Sequence, residues 1–164
     1  MNLGRKGARM AEAKRQPSQT KGDKYLEFLQ TVHLSSLGMD GANFKIDRSA
    51  LSDSFAQSEK AVAQITGRHE ILNPRPNSFG VLGHYKVSVK GSSGSEVFDL
   101  TCTYNAQFSI DKEAEREFIE RFARNEVRLV FWPYLRHFIA DSTYRMSIPP
   151  LQLPLTSEIP LGPH

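Results

Sequence analysis

The sequence has little of several features that mark large classes of protein. One of its 164 residues is cysteine, Cys102, which excludes an internal disulfide and a cysteine-rich zinc site. It contains no apolar run of transmembrane length, and its N-terminus has no apolar stretch of the signal-peptide type. We therefore expect a single-domain cytoplasmic protein with no membrane insertion.

Motifs for catalysis and for cofactor binding are also missing. The GSSGS stretch at 91–95 lacks the Lys-Ser/Thr ending of a phosphate loop, and the histidines form neither an i,i+4 pair nor a zinc signature with glutamate. Cys102 falls on the apolar side of a predicted strand, where a free cysteine is usually inert. We predict that the protein is not an enzyme and uses no metal or cofactor.

The excess of positive charge belongs to one end of the sequence. Residues 1–24 hold seven Lys and Arg against two Asp and Glu, a net charge of +5, so the remaining 140 residues sum to −2. With almost no large apolar residues, 1–24 is predicted to be a disordered basic tail. One functional alternative is a nucleic-acid-binding protein acting through this tail, although no recognition motif supports it.

The first half of the body predicts two strands and their connections. Tyr25–Leu37 is rich in residues that favour strands and is expected to end at the glycines and aspartate of 38–41. A polar connection follows at 42–58. The alternation over 59–72 favours a second strand, with a helix left open, and NPRPNS at 73–78 predicts a break.

Two further strands form the clearest pattern. The first runs from Phe79 to Lys90, GSSGS makes a turn, and the second strand is strictly two-sided. The side predicted to be buried on the second strand consists of Phe98, Leu100, Cys102, Tyr104, Ala106, Phe108 and Ile110.

Spacings of three and four apolar residues predict helical structure from Asp111 to the Pro149–Pro150 pair. Pro133 interrupts this pattern and is expected to kink or restart the helix. The predicted fold is α+β: a four-stranded antiparallel sheet with a long proline-kinked C-terminal helix pair packed on one face. Trp132 and Leu129 lie off the main apolar stripe, which favours an oligomer that covers them.

The strand predicted to end in QFSI at 107–110 is followed by a distinctive segment. It contains Phe131, Trp132, Pro133, Tyr134, Leu135 and Arg136, then Ile139 and Arg145, then Pro149, Pro150, Leu151, Gln152 and Leu153. This segment resembles the FPYxR…I…R…PPLxL segment of the SecB family of protein-export chaperones, with Trp132 inserted before the proline. The resemblance covers 25–155, with a flexible C-terminal tail expected at 156–164.

The resemblance implies an ATP-independent holdase, a chaperone that binds unfolded or non-native polypeptides through extended apolar grooves. It would keep them soluble for protein export or for handing to a partner. It also implies a homotetramer, a dimer of dimers with helices between two sheets, and SecA as the export partner. Relatives linked to toxin–antitoxin systems protect an antitoxin instead, and both roles stay open.

This resemblance leads to two sets of expected site residues. The client-binding groove is expected to include Phe79, Trp132, Leu151, Leu153 and Leu155. The oligomer interface is expected to include Phe131, Tyr134, Leu135, Arg136 and Phe138. Arg136 is predicted either to pair with a carboxylate across the interface or to cap carbonyl groups. The structural alternative is that the aromatic stripe is ordinary core.

Overall fold

The computed structural model describes residues 20–50, 62–91, 94, 96–148, 151 and 153. In sequence order its elements are α1 (Lys21–Thr31), β1 (Val32–Ile46), β2 (Val62–Arg75), β3 (Ser78–Lys90), β4 (Glu96–Ile110), α2 (Arg116–Asn125) and α3 (Val127–Arg145). The strands form one antiparallel sheet in the order β1-β4-β3-β2. This confirms the α+β prediction of a four-stranded sheet followed by a helix pair.

The two central strands follow the predicted alternation. All seven residues predicted for the apolar side of β4 are buried, and β3 contributes Phe79, Val81, Tyr85, Val87 and Val89 to the same side. Directly paired residues of an antiparallel sheet lie on the same face. The pairing of Phe79 with Phe108 and of Val87 with Leu100 therefore gives the sheet one continuous apolar face.

The prediction that Tyr25–Leu37 is a strand was wrong in its first half, because residues 21–31 form α1. The helix starts at a capping box in which the Thr20 hydroxyl accepts from the Asp23 N–H at 3.3 Å and the Asp23 carboxylate accepts from the Thr20 N–H at 3.0 Å. Tyr25 and Phe28 are buried against Phe118 of α2, with ring centroids 5.8 Å away. The last four residues of the predicted tail thus belong to this helix.

The prediction that the first strand ends at 38–41 was also wrong. β1 continues to Ile46 because two register shifts, between Leu34 and Ser36 and between Met39 and Gly41, absorb the irregular stretch. The second predicted strand is confirmed as β2 over 62–72, but β2 continues to Arg75, inside the predicted break at 73–78, and residues 59–61 lie outside the described ranges. β2 meets β3 where Arg75 pairs with Ser78, and Asn73 has a positive φ of 44° beside the register shift.

The helices differ from the prediction in where they begin and divide. α2 starts at Arg116 rather than at Asp111, and the Ala114 N–H donates to the Pro76 carbonyl at 3.0 Å in the segment between. The predicted helical region is divided into α2 and α3 at Glu126, whereas Pro133 lies inside α3 without ending it. Pro133 and Leu129 are exposed, so the carbonyl that the proline leaves without its helical partner is on the outer side of the helix.

Candidate functional site

The helices leave part of the sheet's apolar face open at β1. Leu34, Leu37, Met39 and Ala42 pair with buried β4 residues and so share their face. Leu34 is nevertheless 42% exposed and Met39 38% exposed, while Leu37 is half-buried and Ala42 exposed. We name these four residues the β1 strip. Further along β1 the face is covered, since the rings of Phe44 and Phe138 of α3 are 5.7 Å apart.

Helix α3 carries apolar and aromatic residues on its outer side as well. Its inner side packs Val127, Phe131, Leu135 and Ile139 into the core with no exposure. The outer stripe of α3 consists of Leu129, Pro133, Tyr134, His137 and Tyr144, all of them exposed. A helix that is apolar on both sides is normally covered on both sides.

The polypeptide turns back on itself after α3. Ser147 has a φ of 58°, the Ser147 N–H donates to the Tyr144 carbonyl at 3.0 Å, and the Ile148 N–H donates to the Thr143 carbonyl at 3.0 Å. This pair of hydrogen bonds is a Schellman motif, which reverses the direction of the backbone. We name Ile148, Leu151 and Leu153, the described residues beyond the turn, the C-terminal exit.

Beyond the turn, two further hydrogen bonds of the described residues attach the C-terminal exit to α3. The Leu151 N–H donates to the Thr143 hydroxyl at 3.1 Å, and the Arg136 Nε donates to the Leu153 carbonyl at 3.1 Å. Leu153 and Ile148 are buried and Leu151 is half-buried against the core. The exit is therefore part of the packed molecule.

Comparison with solved structures identifies this architecture. The structure of a Mycobacterium tuberculosis SecB-like chaperone, in complex with a ChAD peptide from the HigA1 antitoxin, matches with a TM-score of 0.66 over 82% of this chain and 98% of that one, at 16% identity. The protein has a SecB-like fold.

Other comparisons add less to this assignment. A protein of unknown function from Streptococcus agalactiae matches with a TM-score of 0.43 and 12% identity, over 76% of this chain and 97% of that one, and carries no argument. No family model matches the sequence. No curated protein matches it either.

Within the SecB-like fold, three of the predicted groove residues lie inside the protein's own core. Phe79 stacks on Phe108 with ring centroids 5.0 Å apart, so it has no free face here, and Trp132 and Leu153 are also buried. Leu151 is half-buried, and Leu155 lies outside the described residues. Their client-binding role remains a prediction that the burial of Phe79 does not favour.

The predicted interface residues separate into inner and outer positions. Phe131 and Leu135 face the sheet and are fully buried, and Phe138 is half-buried beside Phe44. Tyr134 is 48% exposed on the outer stripe of α3 and is therefore available to another surface. Arg136 binds a carbonyl group, as one of its two predicted roles requires, and the carbonyl belongs to Leu153 of the same molecule.

The β1 strip was missed by sequence reasoning. A signal for it is present, since Leu34, Leu37 and Met39 are large and apolar, but the register shifts destroy the period of two that would have placed them on one face. Which strands the helices cover is decided by long-range packing, which single-sequence periodicity does not contain.

Cys102 and His69 are of residue types that can act as a nucleophile or a metal ligand, but both have structural roles here. Burial raises the pKa of the Cys102 thiol to about 12, so it stays protonated at neutral pH. The His69 ring nitrogens are hydrogen-bonded to the Ala123 carbonyl at 3.0 Å and to the Tyr85 hydroxyl at 2.9 Å, which ties β2 to α2 and β3. Among the described residues, no cluster of three or more His, Cys, Asp or Glu could hold a metal ion.

The length and apolarity of the helices bear on membrane insertion. None of the helices in the described ranges is both long enough and apolar enough to cross a bilayer.

Proposed function

We propose that this protein is an ATP-independent holdase chaperone that binds unfolded or non-native polypeptides without a catalytic step. The observation that carries the proposal is the β1 strip, an apolar surface on an edge strand whose paired neighbours on β4 are all buried. Contiguous exposed apolar surface marks interaction sites, and each large apolar residue that a partner covers contributes about 1.5–3 kcal/mol before ordering costs.

The edge position of β1 adds a second means of holding a client. β1 pairs with β4 on one side, and in the sheet formed by the described residues it has no neighbour on its other side. An edge strand presents backbone N–H and carbonyl groups that an extended peptide can pair with, whatever its sequence. Apolar residues beside a free strand edge suit a chaperone with unrelated clients.

Two destinations for the client are compatible with this surface. The similarity to a chaperone held with an antitoxin peptide favours an antitoxin as the client, so we propose an antitoxin-linked role first. Handing of preproteins to the export machinery through SecA is the alternative. Purification of the complex with each candidate client from cells that express both distinguishes the two.

The proposed holdase works as a homotetramer, a dimer of dimers. The outer stripe of α3 supports self-assembly, because Leu129 is 59% exposed and Tyr134 48% exposed on a helix whose other side is fully packed. Several weak client sites on one assembly add up through effective concentration, so assembly would strengthen holding without new contacts.

The test is aggregation of a chemically unfolded client on dilution, followed by light scattering without ATP. We expect suppression near one assembly per client, retained in ~0.5 M salt, where exposed charges are screened. The doubly substituted variant Leu34→Asp, Met39→Asp should lose suppression. Leu26→Asp, which changes an exposed leucine of α1, is the matched control and should keep it.

Two outcomes would overturn this proposal. One is the absence of suppression at severalfold excess of the folded protein. The other is suppression that disappears in salt and on removal of residues 1–19, which would instead support the nucleic-acid alternative through the basic tail. Equal loss in the strip variant and in Leu26→Asp would remove the β1 strip from the proposal.

A further inference from the structure

The attachment of the C-terminal exit to α3 uses backbone atoms of the exit. Thr143 Oγ1 accepts from the N–H of Leu151, and its own hydrogen is donated to the Ile139 carbonyl at 2.8 Å. Arg136 Nε donates to the carbonyl of Leu153. Every residue other than proline carries both of these backbone groups, so the two hydrogen bonds do not depend on the amino-acid sequence of the bound segment.

The spacing of the two contacts fits an extended segment. Arg136 and Thr143 are seven residues apart on α3, which is about 10 Å along the helix axis. An extended stretch of three residues spans about 10 Å at 3.3 Å per residue. The exit runs antiparallel to the helix, since Leu151 lies at Thr143 and Leu153 at Arg136.

Trp132, Arg136 and Thr143 lie on one flank of α3, because a helix turns by about 100° per residue. We name these residues the α3 flank. Phe138 lies on the opposite flank, where it meets Phe44 of β1. The α3 flank is therefore separate from the β1 strip.

Apolar burial provides the rest of the attachment. Leu153 is buried and Leu151 packs against the core, so the alternate leucines of the exit enter the molecule. The described part of the occupant thus consists of two leucines two positions apart, held by one backbone N–H and one backbone carbonyl. The same features describe a segment of an unfolded polypeptide.

We propose that the α3 flank is a second binding site for extended apolar client segments, which the C-terminal exit occupies until a client displaces it. This inference rests on the proposed holdase function. Because the C-terminal exit is part of the same polypeptide, it competes with a client for the α3 flank at an effective concentration in the millimolar range. The apparent affinity for a client is then the intrinsic affinity multiplied by the fraction of molecules whose flank is open.

The first test measures the affinity of a labelled peptide that copies residues 148–155, by fluorescence anisotropy with the full-length protein. Leu153→Asp weakens the exit and leaves the α3 flank intact, so the peptide should bind this variant at least ~10-fold more tightly than the unaltered protein. Adding Arg136→Gln and Thr143→Val to that variant should remove this gain in affinity for the peptide. A peptide with aspartate in place of the leucines that copy Leu151 and Leu153 is the matched control and should bind neither form.

Leu153→Ala repeats the measurement with a milder change, and circular dichroism checks that both variants are folded. Equal peptide affinity for the unaltered protein and for a folded Leu153 variant would overturn the inference. So would a gain that survives the loss of Arg136 and Thr143, because the peptide would then be binding elsewhere.

The second test needs no substitution. Hydrogen exchange of the segment containing residues 148–153 is compared with and without reduced, carboxymethylated α-lactalbumin as the unfolded client. Displacement predicts that the segment exchanges faster when the client is bound. Client binding with unchanged or slower exchange would overturn the inference while the holdase function stands, whereas displacement without suppression of aggregation would contradict the holdase function alone.

Discussion

At the scale of single residues, glycines of the sheet make room for the aromatic rings that pack over it. A Cβ atom at Gly83 would lie 2.8 Å from the ring of Phe131, and one at Gly67 would lie 2.9 Å from the ring of Tyr85. Both rings are buried, and their centroids are 6.1 Å apart. Glycine in these strands therefore marks a close approach between the layers.

The residue that tests this packing is Gly83. Gly83→Ala should lower the free energy of unfolding by about 1–3 kcal/mol, because the added methyl group overpacks the contact with the fully buried Phe131. Gly38→Ala is the matched control, since a Cβ there has nothing within 4 Å. Urea unfolding followed by circular dichroism measures both. Equal urea midpoints for the two variants would contradict the overpacking expected at Gly83.

Cys102 gives a prediction for alkaline pH. Burial raises the pKa of its thiol to about 12, whereas an unfolded thiol has a pKa of about 8.5. Above about pH 9 the unfolded state loses this proton and the folded state keeps it, so the free energy of unfolding falls as pH rises, by at most about 1.4 kcal/mol per unit from this group. Burial also raises the pKa of Tyr25 to about 12, which acts in the same direction.

The measurement compares urea unfolding of the unaltered protein and of Cys102→Ala from pH 8 to pH 10.5. The substituted protein keeps the tyrosines and should show a shallower decrease in stability over that range. Parallel curves would show that the thiol ionises equally in both states.

At the scale of elements, sequence patterns predicted the central strands of the sheet and missed the helix α1. The β3–β4 pair was predictable because its alternation is strict and its partners are adjacent in sequence. α1 was not, because Tyr25 and Phe28 favour strands locally but are held in a helix by packing on Phe118. The Thr20–Asp23 capping box was the available signal.

The candidate site was harder to predict because it too depends on tertiary packing. The apolar character of the C-terminal exit was visible in the sequence, but its attachment to Thr143 depends on the reversal at Ser147. A left-handed conformation at a serine leaves no pattern in a sequence, since glycine usually occupies that position.

This reversal provides a prediction for the end of α3. Ser147→Gly should raise the free energy of unfolding by up to about 1 kcal/mol, because glycine adopts the φ of 58° without the steric cost that serine bears there. Ser142→Gly, the same change inside α3, should lower it by about 0.5 kcal/mol. Thermal unfolding shows whether each variant is more or less stable than the unaltered protein. A change in the same direction for both variants would contradict the assignment of a Schellman motif.

At the scale of the whole molecule, the distribution of apolar surface indicates which parts need a partner. α2 buries one side, whereas α3 is apolar on its inner side and on its outer stripe. The C-terminal exit covers the α3 flank within the molecule, and the β1 strip stays open. The proposed function gives each surface its own partner: a second copy of the protein for the outer stripe and an extended client for the β1 strip.

Self-assembly through the outer stripe is tested by Leu129→Asp, compared with Leu26→Asp. The two leucines are 59% and 60% exposed, so the substitutions cost the isolated protomer about equally. Leu129→Asp should reduce the mass measured by sedimentation equilibrium to that of a smaller species, because a charge at a covered apolar position lacks a partner. Suppression of aggregation should then weaken as effective concentration is lost. An unchanged mass for Leu129→Asp, or an equal reduction for Leu26→Asp, would mean that the copies of this protein meet on another face.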